Sequence, residues 1–368
     1  MLKSIGKILL HLATGATIAT VALLWISAYS AHIPPEKHGW LDVLGLCFPI
    51  FAAGNAAALL GWLIMRSKRA ILPLAGFVCC ISDVQAYCPV NIPQPAPKGC
   101  LKVLSYNTMN FAAGSGDTAT GKHITDYILS SEADIVCIQE GEYYKGWKNA
   151  EKQLRKRYPY IATLDNNTAV SLLRCFSRYP IVEKMSLPII SETNCVGIFK
   201  IALSRDDTIH VINCHLQSDN LTKTDRENYK SLVKGEQQDG AKTTVFSLVR
   251  KLSAAARVRS TQTDSIMQYI ERNKEYPMIL CGDFNDSPIS YPRREISTAL
   301  TDAYKASGIG PGFSFNRDGM FVRIDHIFCS KHWKPFGATV DRSIKHSDHY
   351  PIYAFLKRKC CVTNEKER

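Results

Sequence analysis

Long apolar runs fill the first part of the chain, whereas the remainder alternates short apolar runs with polar segments. Residues 8–31 contain no Lys, Arg, Asp or Glu, and Asn55 is the one strongly polar residue within residues 43–65. Each run exceeds the ~20 residues with which an α-helix crosses a hydrocarbon core. Lys3 and Lys7 would suit the start of a cleaved signal peptide, but the apolar part is too long for one and a second run follows. The pattern predicts membrane-spanning helices.

A third apolar segment, residues 70–82, has thirteen residues before Asp83 and is marginal for a span by length alone. Continued through Tyr87 it becomes long enough, with Asp83 near the lipid head groups. Residues 1–88 are therefore predicted to form a membrane anchor. Its predicted helices cover about residues 8–30, 43–65 and 70–87.

The number of crossings decides on which side of the membrane the rest of the chain lies. Cytoplasmic ends of spans are enriched in Lys and Arg, which places Lys3 and Lys7, and also residues 66–69, in the cytoplasm. With a third crossing, everything after Pro89 lies outside the cytoplasm; without it, everything lies inside. The thirteen cysteines, an odd number without a zinc-binding spacing, favour a reducing compartment and so argue against the third crossing.

A proline-rich stretch follows the apolar part. Residues 89–99 contain four prolines and are predicted to form a stiff, extended linker. A soluble domain over residues 100–360 and a tail over residues 361–368 are predicted after it. Seven of the 45 basic and three of the 33 acidic residues precede Cys100, so the net charge from Cys100 onward is +8. A positive field suits an anionic substrate or lipid surface, although basic soluble domains are also common.

Short apolar runs alternate with helical patterns in the soluble part, as in residues 102–106, 124–130 and 134–138, and predict an α/β (α+β) domain. Apolar strands without polar alternation imply burial on both faces, so helices should cover the sheets. Residues 219–273 are predicted to be helical. Their basic cluster, residues 250–259, is interpreted as a solvated helical face in preference to a phosphate or membrane contact.

Six polar clusters interrupt or follow the strand-like runs. A buried carboxylate or imidazole costs several kcal/mol unless it is paired or binds a cation. One such cluster can be a satisfied structural group, but six at or near strand ends suggest one shared site. The clusters are residues 105–107, 139–140, 213–215, 282–285, 323–326 and 347–349.

The acidic and amide groups in these clusters suit metal-assisted hydrolysis of a phosphate ester. Asp283 and Asn285 lie two positions apart after an apolar strand, so their side chains point to the same side and could act on an attacking water. A turn beginning at Asp283 is the structural alternative. Glu140 closes another strand, where a few oxygen ligands would suit Mg²⁺. The carboxamide of Asn107 could reinforce either the metal or the phosphate.

Histidines with acidic neighbours complete the set. His215 lies at the end of a strand, where a lone histidine is more often a satisfied core residue. Asp348 and His349 are adjacent, and Asp325 lies in another cluster. A carboxylate that orients an imidazole is a common catalytic arrangement, so the combination is what points to function.

Residues 116–123 nearly match the phosphate-binding loop G-x-x-x-x-G-K-[ST]. His123 stands where that loop has the hydroxyl that holds Mg²⁺. The match is therefore interpreted as accidental.

Taken in order, and together with the segment Ser-Arg-Tyr-Pro-Ile at residues 177–181, the clusters resemble the endonuclease/exonuclease/phosphatase superfamily. The resemblance covers roughly residues 100–357, and the three apolar segments resemble a bacterial membrane-anchored branch. It implies a four-layer sandwich of two packed β-sheets flanked by helices, preceded by transmembrane helices. It also favours the third crossing, with the catalytic domain on the periplasmic side of a bacterial inner membrane.

The resemblance implies a metal site. Glu140 would be the principal Mg²⁺ ligand, assisted by Asn107 and Asp348, with Mn²⁺ as an alternative metal. His326 departs from the pattern, because many relatives carry an aromatic residue at its position.

The same resemblance implies catalytic roles for five further residues. Asp283 and Asn285 would orient and activate water. His349, held by Asp325, would contact a phosphate oxygen or transfer a proton. His215 would stabilise the leaving side.

The resulting prediction is a membrane-anchored, Mg²⁺-dependent phosphohydrolase, preferably a phosphodiesterase or nuclease. Its partners would be a phosphate-ester substrate and the lipid bilayer, with no protein partner inferred. One alternative is a phospholipid or phosphoinositide (inositol phosphate) hydrolase, which a membrane tether would suit. Basic residues among aromatics would favour nucleic acid, and Lys145, Trp147 and Lys148 are the suggestive cluster. A further alternative is a catalytically inactive membrane receptor or scaffold.

Overall fold

The chain divides into two compact units. A helical unit comprises Met1–Cys88, Asp219–Ser260 and Asp286–Arg294. A sandwich unit comprises Pro89–Ser218, Thr261–Asn285 and Glu295–Arg368. Two segments of the predicted catalytic domain therefore group with the first 88 residues. The predicted tail, like the other undescribed segments, lies outside the residues that this computed structural model describes, which are 2–111, 118–142, 146–164, 172–189, 191, 194–234, 241–317 and 319–359.

Helices make up the start of the chain, and strands and helices alternate after it. The helices are α1 (Leu2–Ser30), α2 (Pro35–Leu46), α3 (Phe48–Ile64), a 3-10 helix (Lys68–Ala70), α4 (Ile71–Cys79), α5 (Ile81–Tyr87), α6 (Thr118–Ser130), α7 (Trp147–Arg157), α8 (Lys223–Val233), α9 (Ala241–Arg272), α10 (Tyr291–Ala299) and α11 (Ala303–Ser307). The strands are β1 (Leu101–Asn107), β2 (Ile135–Gln139), β3 (Tyr160–Leu164), β4 (Leu173–Ser177), β5 (Ile181–Leu187), β6 (Cys195–Ala202), β7 (Thr208–His215), β8 (Met278–Asp283), β9 (Thr301–Asp302), β10 (Phe315–Arg317), β11 (Met320–Val322), β12 (Asp325–Cys329), β13 (Trp333–Val340) and β14 (Ile352–Arg358).

One helix, α1, is long and apolar enough to cross a membrane, over Ser4–Ser30. Two further spans are counted if each bent pair of helices is one span: α2 with α3, bent by 45°, and Lys68–Cys79 with α5, bent by 68°. Pro49 lies in the first turn of α3, next to the first bend, where its missing amide hydrogen costs nothing. The described residues thus contain between one and three candidate spans, where the sequence predicted three. Hydropathy does not show such bends, because they leave composition unchanged.

Side-chain hydrogen bonds join the apolar helices of the helical unit. Trp62 Nε1 in α3 donates to Thr17 Oγ1 in α1 at 2.9 Å. Asn55 Nδ2 in α3 donates to the carbonyl oxygen of Pro73 in α4 at 2.9 Å. Polar contacts between apolar helices favour one packing arrangement, because other arrangements leave these groups unpaired.

The basic cluster in α9 is split between the interior and the surface of the helical unit. Arg259 is buried, and its guanidinium forms ion pairs with Asp219 at 2.7 Å and with Asp286 at 2.9 Å. Arg250 and Arg257 are exposed. The interpretation of the whole cluster as a solvated face is therefore wrong for Arg259. Its carboxylate partners lie far away in sequence, so local pattern gave no signal of the pairing.

Two six-stranded mixed sheets form the sandwich unit. The first sheet has the strand order β13-β14-β1-β2-β4-β3, and the second has the order β5-β6-β7-β8-β12-β9. Strands β10 and β11 form a separate hairpin. Each six-stranded sheet has one parallel pair at its centre, β1 with β2 and β7 with β8.

The parallel pairs determine where the strand ends lie. Parallel strands require crossover connections, which here contain α6 between β1 and β2, and α8 and α9 between β7 and β8. Both strands of a parallel pair end at the same edge. Strands β14 and β12 run antiparallel to β1 and β8, so they begin at that edge. Most of the predicted polar clusters therefore lie at one edge of each sheet.

Strand residues alternate between two apolar cores. In β1, Val103 lies in the core that the two sheets share, whereas Leu104 lies in the core formed with α6 and α7. In β8, Ile279 lies in the shared core and Leu280 packs in the core that includes Ile266 of α9. Burial on both faces accounts for the continuous apolar runs. The predicted fold of two packed sheets flanked by helices is confirmed.

The proline-rich segment of residues 89–99 is extended and groups with the sandwich unit. Val90 forms a β-bridge with Ile309. Asn91 Nδ2 donates to the carbonyl oxygen of Gly308 at 2.8 Å. The segment, predicted to be a stiff and extended linker, is therefore attached to the sandwich unit at its start.

Candidate active site

Six of the predicted site residues lie at the shared strand edge. They are Asn107 at the end of β1, Glu140 after β2, His215 at the end of β7, Asp283 at the end of β8, Asp325 at the start of β12 and His349 before β14. A hydrogen bond between Asn107 in the first sheet and Asp283 in the second shows that the two edges meet.

The carboxamide of Asn107 links a carboxylate from each sheet. Its Nδ2 donates to Glu140 Oε1 at 3.1 Å and to Asp283 Oδ2 at 2.9 Å. Its Oδ1 accepts a hydrogen bond from the Met109 amide at 3.1 Å, which fixes the side chain. The Glu140 side chain is 30% exposed, whereas that of Asp283 is 1% exposed. Glu140 is therefore the carboxylate that solvent and a ligand can reach.

Two imidazoles face the Asp283 carboxylate. His215 Nε2 lies 3.8 Å from Asp283 Oδ2 and 3.8 Å from Glu140 Oε1. His349 Nε2 lies 3.7 Å from the same Asp283 oxygen. With Asn107, side chains from three strand ends therefore surround the Asp283 carboxylate.

His349 is held in place by its neighbours. Its Nδ1 lies 2.8 Å from Asp325 Oδ2, which directs Nε2 toward Asp283. Asp325 is itself positioned, since its backbone amide donates to Ser314 Oγ at 3.0 Å. The ring of Phe315 packs edge-on against the imidazole at a centroid distance of 5.1 Å. The carboxylate-oriented imidazole that the sequence suggested is present in the structure.

The two histidines differ in protonation. Burial lowers the pKa of His349, but the carboxylates of Asp325 and Asp283 outweigh burial and raise that pKa to about 10. Burial dominates at His215 and lowers its pKa. At neutral pH the site therefore holds one imidazolium and one neutral imidazole.

Two carboxyl groups of the site have raised pKa values. Burial raises the pKa of Asp283 to about 6, against the opposing positive charge of His349. Burial also raises the pKa of Glu140, against the hydrogen bond from Asn107. A carboxylate with a pKa near neutrality can both accept and release a proton at physiological pH.

The end of β8 has an unusual backbone that places Asp283 and Asn285. Gly282 has φ +140°, and a Cβ at this position would lie 1.9 Å from the carbonyl oxygen of Cys214. The Asn285 amide donates to Asp283 Oδ1 at 2.8 Å, and Asn285 Nδ2 donates to the carbonyl oxygen of Leu216 at 2.9 Å. The turn that begins at Asp283 was the structural alternative for this cluster. It is present, and Asp283 also lies in the site.

Asp348 lies in an ion pair that the sequence did not predict. Its Oδ2 accepts a hydrogen bond from Arg317 Nη1 at 2.8 Å. Arg317 belongs to the hairpin of β10 and β11. No local sequence pattern indicated that it would contact Asp348, which precedes β14. Asp283, Asp325 and His349 each have one potential ligand atom, and these three atoms all lie within 4.8 Å of one another. This trio shares no residue with the predicted metal ligands.

The donor set fits a hard divalent cation. Glu140 and Asp348 offer carboxylate oxygens, and Asn107 offers a carboxamide oxygen, which are the ligand types that Mg²⁺ prefers. Asp325 Oδ1 is buried and has no hydrogen-bond partner among the described residues. The site thus carries negative charge beyond what its own hydrogen bonds satisfy.

Other members of the six clusters are structural. Gln139 Nε2 donates to Asn213 Oδ1 at 2.6 Å, which joins the two sheets beneath the site. The His326 ring packs against Phe284 at 5.0 Å and Phe328 at 5.9 Å, so it fills the place of an aromatic residue. The polar clusters at strand ends therefore contain both catalytic candidates and residues that hydrogen-bond or pack within the core.

The near match to a phosphate-binding loop has the wrong local structure where it is described. Gly121, Lys122 and His123 lie inside α6. His123 stacks on His346 with a centroid distance of 4.6 Å. Residues 116 and 117 lie outside the described residues.

The suggested nucleic-acid cluster is not an exposed aromatic patch. Trp147 is 5% exposed, and the guanidinium of Arg174 lies 4.1 Å from the centre of its ring. Lys148 is exposed, and Lys145 lies outside the described residues. Trp147 is therefore unavailable for stacking on a base.

Comparison with known proteins identifies two regions. Residues 104–349 match the sequence model described as the Endonuclease/Exonuclease/phosphatase family. Residues 7–87 match that of a domain of unknown function, DUF8431. No curated protein matches the chain.

Solved structures similar to the chain share its fold at low sequence identity. Truncated Caenorhabditis elegans TDP2 is 15% identical, with 72% of this chain and 99% of that chain covered and a TM-score of 0.50. The human Nocturnin catalytic domain with bound sulfate anion is 16% identical, with 72% and 97% covered and a TM-score of 0.51. An endonuclease/exonuclease/phosphatase from Beutenbergia cavernae is 16% identical, with 70% and 72% covered and a TM-score of 0.50. Because the family match spans more than half of the chain, the protein belongs to the endonuclease/exonuclease/phosphatase family and is a metal-dependent hydrolase of phosphate esters.

Proposed function

We propose that the protein is a Mg²⁺-dependent phosphodiesterase or nuclease that its N-terminal helices attach to a membrane. The observation that carries the proposal is the convergence at Asp283. Asn107 ties this carboxylate to Glu140, and His215 and His349 lie within 3.8 Å of it. A carboxylate between a neutral and a charged imidazole, beside an exposed carboxylate, suits hydrolysis of a phosphate diester.

The metal would be held by Glu140, with Asn107 and Asp348 assisting. When bound, Mg²⁺ neutralises charge on the phosphoryl oxygens and polarises the leaving group. Glu140 is the best placed of the three, because its carboxylate is partly exposed and already oriented by the Asn107 amide. The all-oxygen donor set favours Mg²⁺, and Mn²⁺ is the expected substitute.

Asp283 would act as the base toward the attacking water. Its pKa of about 6 leaves it largely ionised at neutral pH yet basic enough to accept a proton. Asn285 would position the water, because its backbone amide is bonded to Asp283 and its side-chain amide is fixed on the Leu216 carbonyl oxygen.

The two histidines would act on different oxygens. His349, kept protonated by Asp325, would donate from Nε2 to a non-bridging phosphate oxygen. His215 is neutral at the same pH and ends β7 in the second sheet. It would stabilise the leaving-group side of the phosphate. A charge-assisted donor such as His349 contributes most in a buried site from which water is excluded.

Hydrolysis of an aryl phosphodiester, compared with an aryl monoester, tests the proposal. We expect metal-dependent diester hydrolysis that Glu140→Gln or Asp283→Asn reduces by about a hundredfold or more. Glu183→Gln, at an exposed strand position, is the matched control and should retain full activity. If Glu140→Gln and Asp283→Asn both left the measured hydrolysis unchanged, that hydrolysis would not come from this site, and a catalytically inactive receptor or scaffold would be favoured.

A phospholipid or phosphoinositide hydrolase is the second candidate, favoured by the apolar helix α1. The two candidates differ in substrate class. Supercoiled plasmid and lipid vesicles should be offered to the same preparation, with plasmid nicking and head-group release as readouts. Release of head groups without nicking would select the lipid hydrolase.

We further propose that the anchor crosses the membrane three times and that the catalytic residues lie on the periplasmic side of a bacterial inner membrane. Support comes from α1 and from the two bent helix pairs, which are long and apolar enough if each is one span. Lys7 and residues 66–69 would then share the cytoplasmic side. A reporter fused after Arg368 that is active on one side of the membrane tests this, and a cytoplasmic signal would contradict it.

A further inference from the structure

The first half of α9 carries an exposed stripe of cationic and apolar residues within the helical unit. The α9 stripe comprises Lys242, Phe246, Arg250 and Arg257, which recur at helical spacing and are all exposed. Phe246 is 72% exposed, and its neighbour Val245 is 48% exposed. No Asp or Glu occurs between residues 241 and 260. Among the described residues, no acidic side chain pairs with the three cations of the stripe.

The side of α9 adjoining the stripe packs closely on α2. Leu248 and Ala256 are buried. A Cβ at Gly39 of α2 would lie 2.5 Å from the carbonyl oxygen of Ser253 in α9, so the two helices approach at backbone distance. Ser253 lies on the same side of the helix as Phe246 and Arg257, so α2 covers α9 alongside the α9 stripe while the four stripe residues stay exposed.

Exposed aromatic residues mark this end of the apolar helices. Trp25 and Tyr29, near the end of α1, are 42% and 63% exposed. Trp40, next to Gly39 in α2, is 52% exposed. Trp and Tyr are enriched where membrane-spanning helices leave the hydrocarbon core. The contact at Gly39 therefore places α9 at the level of a membrane–water interface.

We infer that the α9 stripe binds the anionic head-group surface of the membrane, an inference that rests on the proposed insertion of α1. Phe246 enters the boundary between head groups and acyl chains, while Lys242, Arg250 and Arg257 contact lipid phosphates. Long cationic side chains can cover apolar surface and still reach charged groups. A polynucleotide would also suit the cations, but it offers no apolar layer for Phe246 and Val245.

Hydroxyl-radical oxidation of Phe246 in nanodiscs tests the inference with the full chain. Nanodiscs of phosphatidylcholine are compared with nanodiscs that also contain phosphatidylglycerol, in low and high salt. Three cations near an anionic surface favour docking on the order of a hundredfold in low salt, so we expect Phe246 to lose most of its oxidation with phosphatidylglycerol and to regain it in high salt.

A charge-reversal variant and a matched control make the test specific. Arg250→Glu/Arg257→Glu should restore Phe246 oxidation in the phosphatidylglycerol nanodiscs. Lys152→Glu/Lys156→Glu changes the net charge equally at exposed positions of α7 and should leave the protection intact. Comparison within one nanodisc type removes any difference in radical scavenging by the lipids.

The outcomes separate this inference from the proposed membrane attachment. Alkaline carbonate extraction reports on insertion, and release of the wild-type chain by carbonate would overturn the attachment itself. Retention in the membrane with equal Phe246 oxidation in both nanodiscs would overturn the docking alone. Protection by added DNA in phosphatidylcholine nanodiscs would assign the stripe to a polynucleotide, and protection that depends on protein concentration would assign it to a second copy.

Discussion

Asp283 lies between two imidazoles of different charge. Burial favours the neutral form of all three groups, but its effect on the pKa is outweighed at His349. Burial raises the pKa of Asp283 and lowers the pKa of His215. His349 escapes the same effect because Asp325 lies 2.8 Å from its Nδ1 and stabilises the proton. A single additional carboxylate therefore decides which histidine is the cation at neutral pH.

Asp325→Asn should lower the pKa of His349 and remove the imidazolium at neutral pH. We expect kcat/KM for an aryl phosphodiester to fall by about a hundredfold at pH 8, in keeping with the usual contribution of one donor to a developing oxyanion. The loss should shrink as the pH falls, because His349 regains its proton. The pH profile of kcat/KM checks this, and a variant whose alkaline limb coincided with that of the wild type would contradict the role of Asp325.

His210 should make the protein less stable in acid, independently of catalysis. It is buried at the start of β7, where its Nδ1 lies 2.9 Å from Tyr269 Oη, and burial lowers its pKa from 6.5. The unfolded chain takes up the proton more readily than the folded one, so the stability contributed by neutral His210 is complete above pH 6.5 and declines below it.

We therefore expect Tm to fall less between about pH 7 and about pH 5 in His210→Phe than in the wild type, because the ordinary histidine pKa of about 6.5 lies between these two values. Thermal unfolding of the detergent-solubilised full chain, followed by near-ultraviolet circular dichroism, gives the comparison. Parallel pH dependences would show that His210 does not titrate on unfolding.

At the scale of elements, the backbone conformation at the end of β8 determines how closely β8 approaches β7 and where Asp283 lies. Gly282 pairs in register with Cys214 of β7 and with His326 of β12. Its φ of +140° is open to glycine and strained for other residues. The close approach of β7 and β8 at this residue brings His215 opposite Asp283.

Gly282→Ala should destabilise the protein by about 3 kcal/mol or more, because the new Cβ meets backbone and the φ is unfavourable. The matched control is Gly310→Ala, at φ +72° with nothing within 4 Å of the added Cβ. We expect it to cost about 1–2 kcal/mol, which is the strain of the left-handed conformation alone. Denaturant unfolding of both variants measures the difference, and equal costs would argue against the tight contact.

At the scale of the whole molecule, segments distant in sequence form the helical unit. Arg259 of α9 pairs with Asp219 and Asp286, which follow the strands carrying His215 and Asp283 in the chain. The three paired side chains are buried or partly buried. The first 88 residues therefore share a compact unit with Asp219–Ser260 and Asp286–Arg294. Hydropathy alone would not assign these two polar segments to a membrane anchor.

Arg259→Met should be strongly destabilising, because it leaves buried carboxylates without their cation. We expect a loss of about 3–5 kcal/mol, as for other broken buried ion pairs. Lys251→Met removes the partly exposed pair with Asp225 and should cost no more than about 1 kcal/mol. Unfolding of the full chain in detergent distinguishes them, and similar stabilities for the two variants would contradict the buried network.

The amino-acid sequence by itself indicated the strands and the α+β class, and its resemblance to a known family indicated the sandwich and the candidate site residues. A carboxylate or imidazole after a buried strand is costly without a partner, so the clusters around Glu140, Asp283 and His349 were visible before any contact was known. Sequence pattern also identified α1 as apolar enough to span. These features are local, because they depend on neighbours within one strand or helix.

Tertiary structure alone decided how those groups combine. Asn107 and Asp283 are 176 positions apart, yet a single hydrogen bond joins them. The pairing of Asp348 with Arg317, and the inclusion of residues 219–260 in the helical unit, likewise depend on which strand ends and helix faces meet. Side-chain contacts of this range follow from the packing of the sheets and helices, which leaves no periodic trace in the chain.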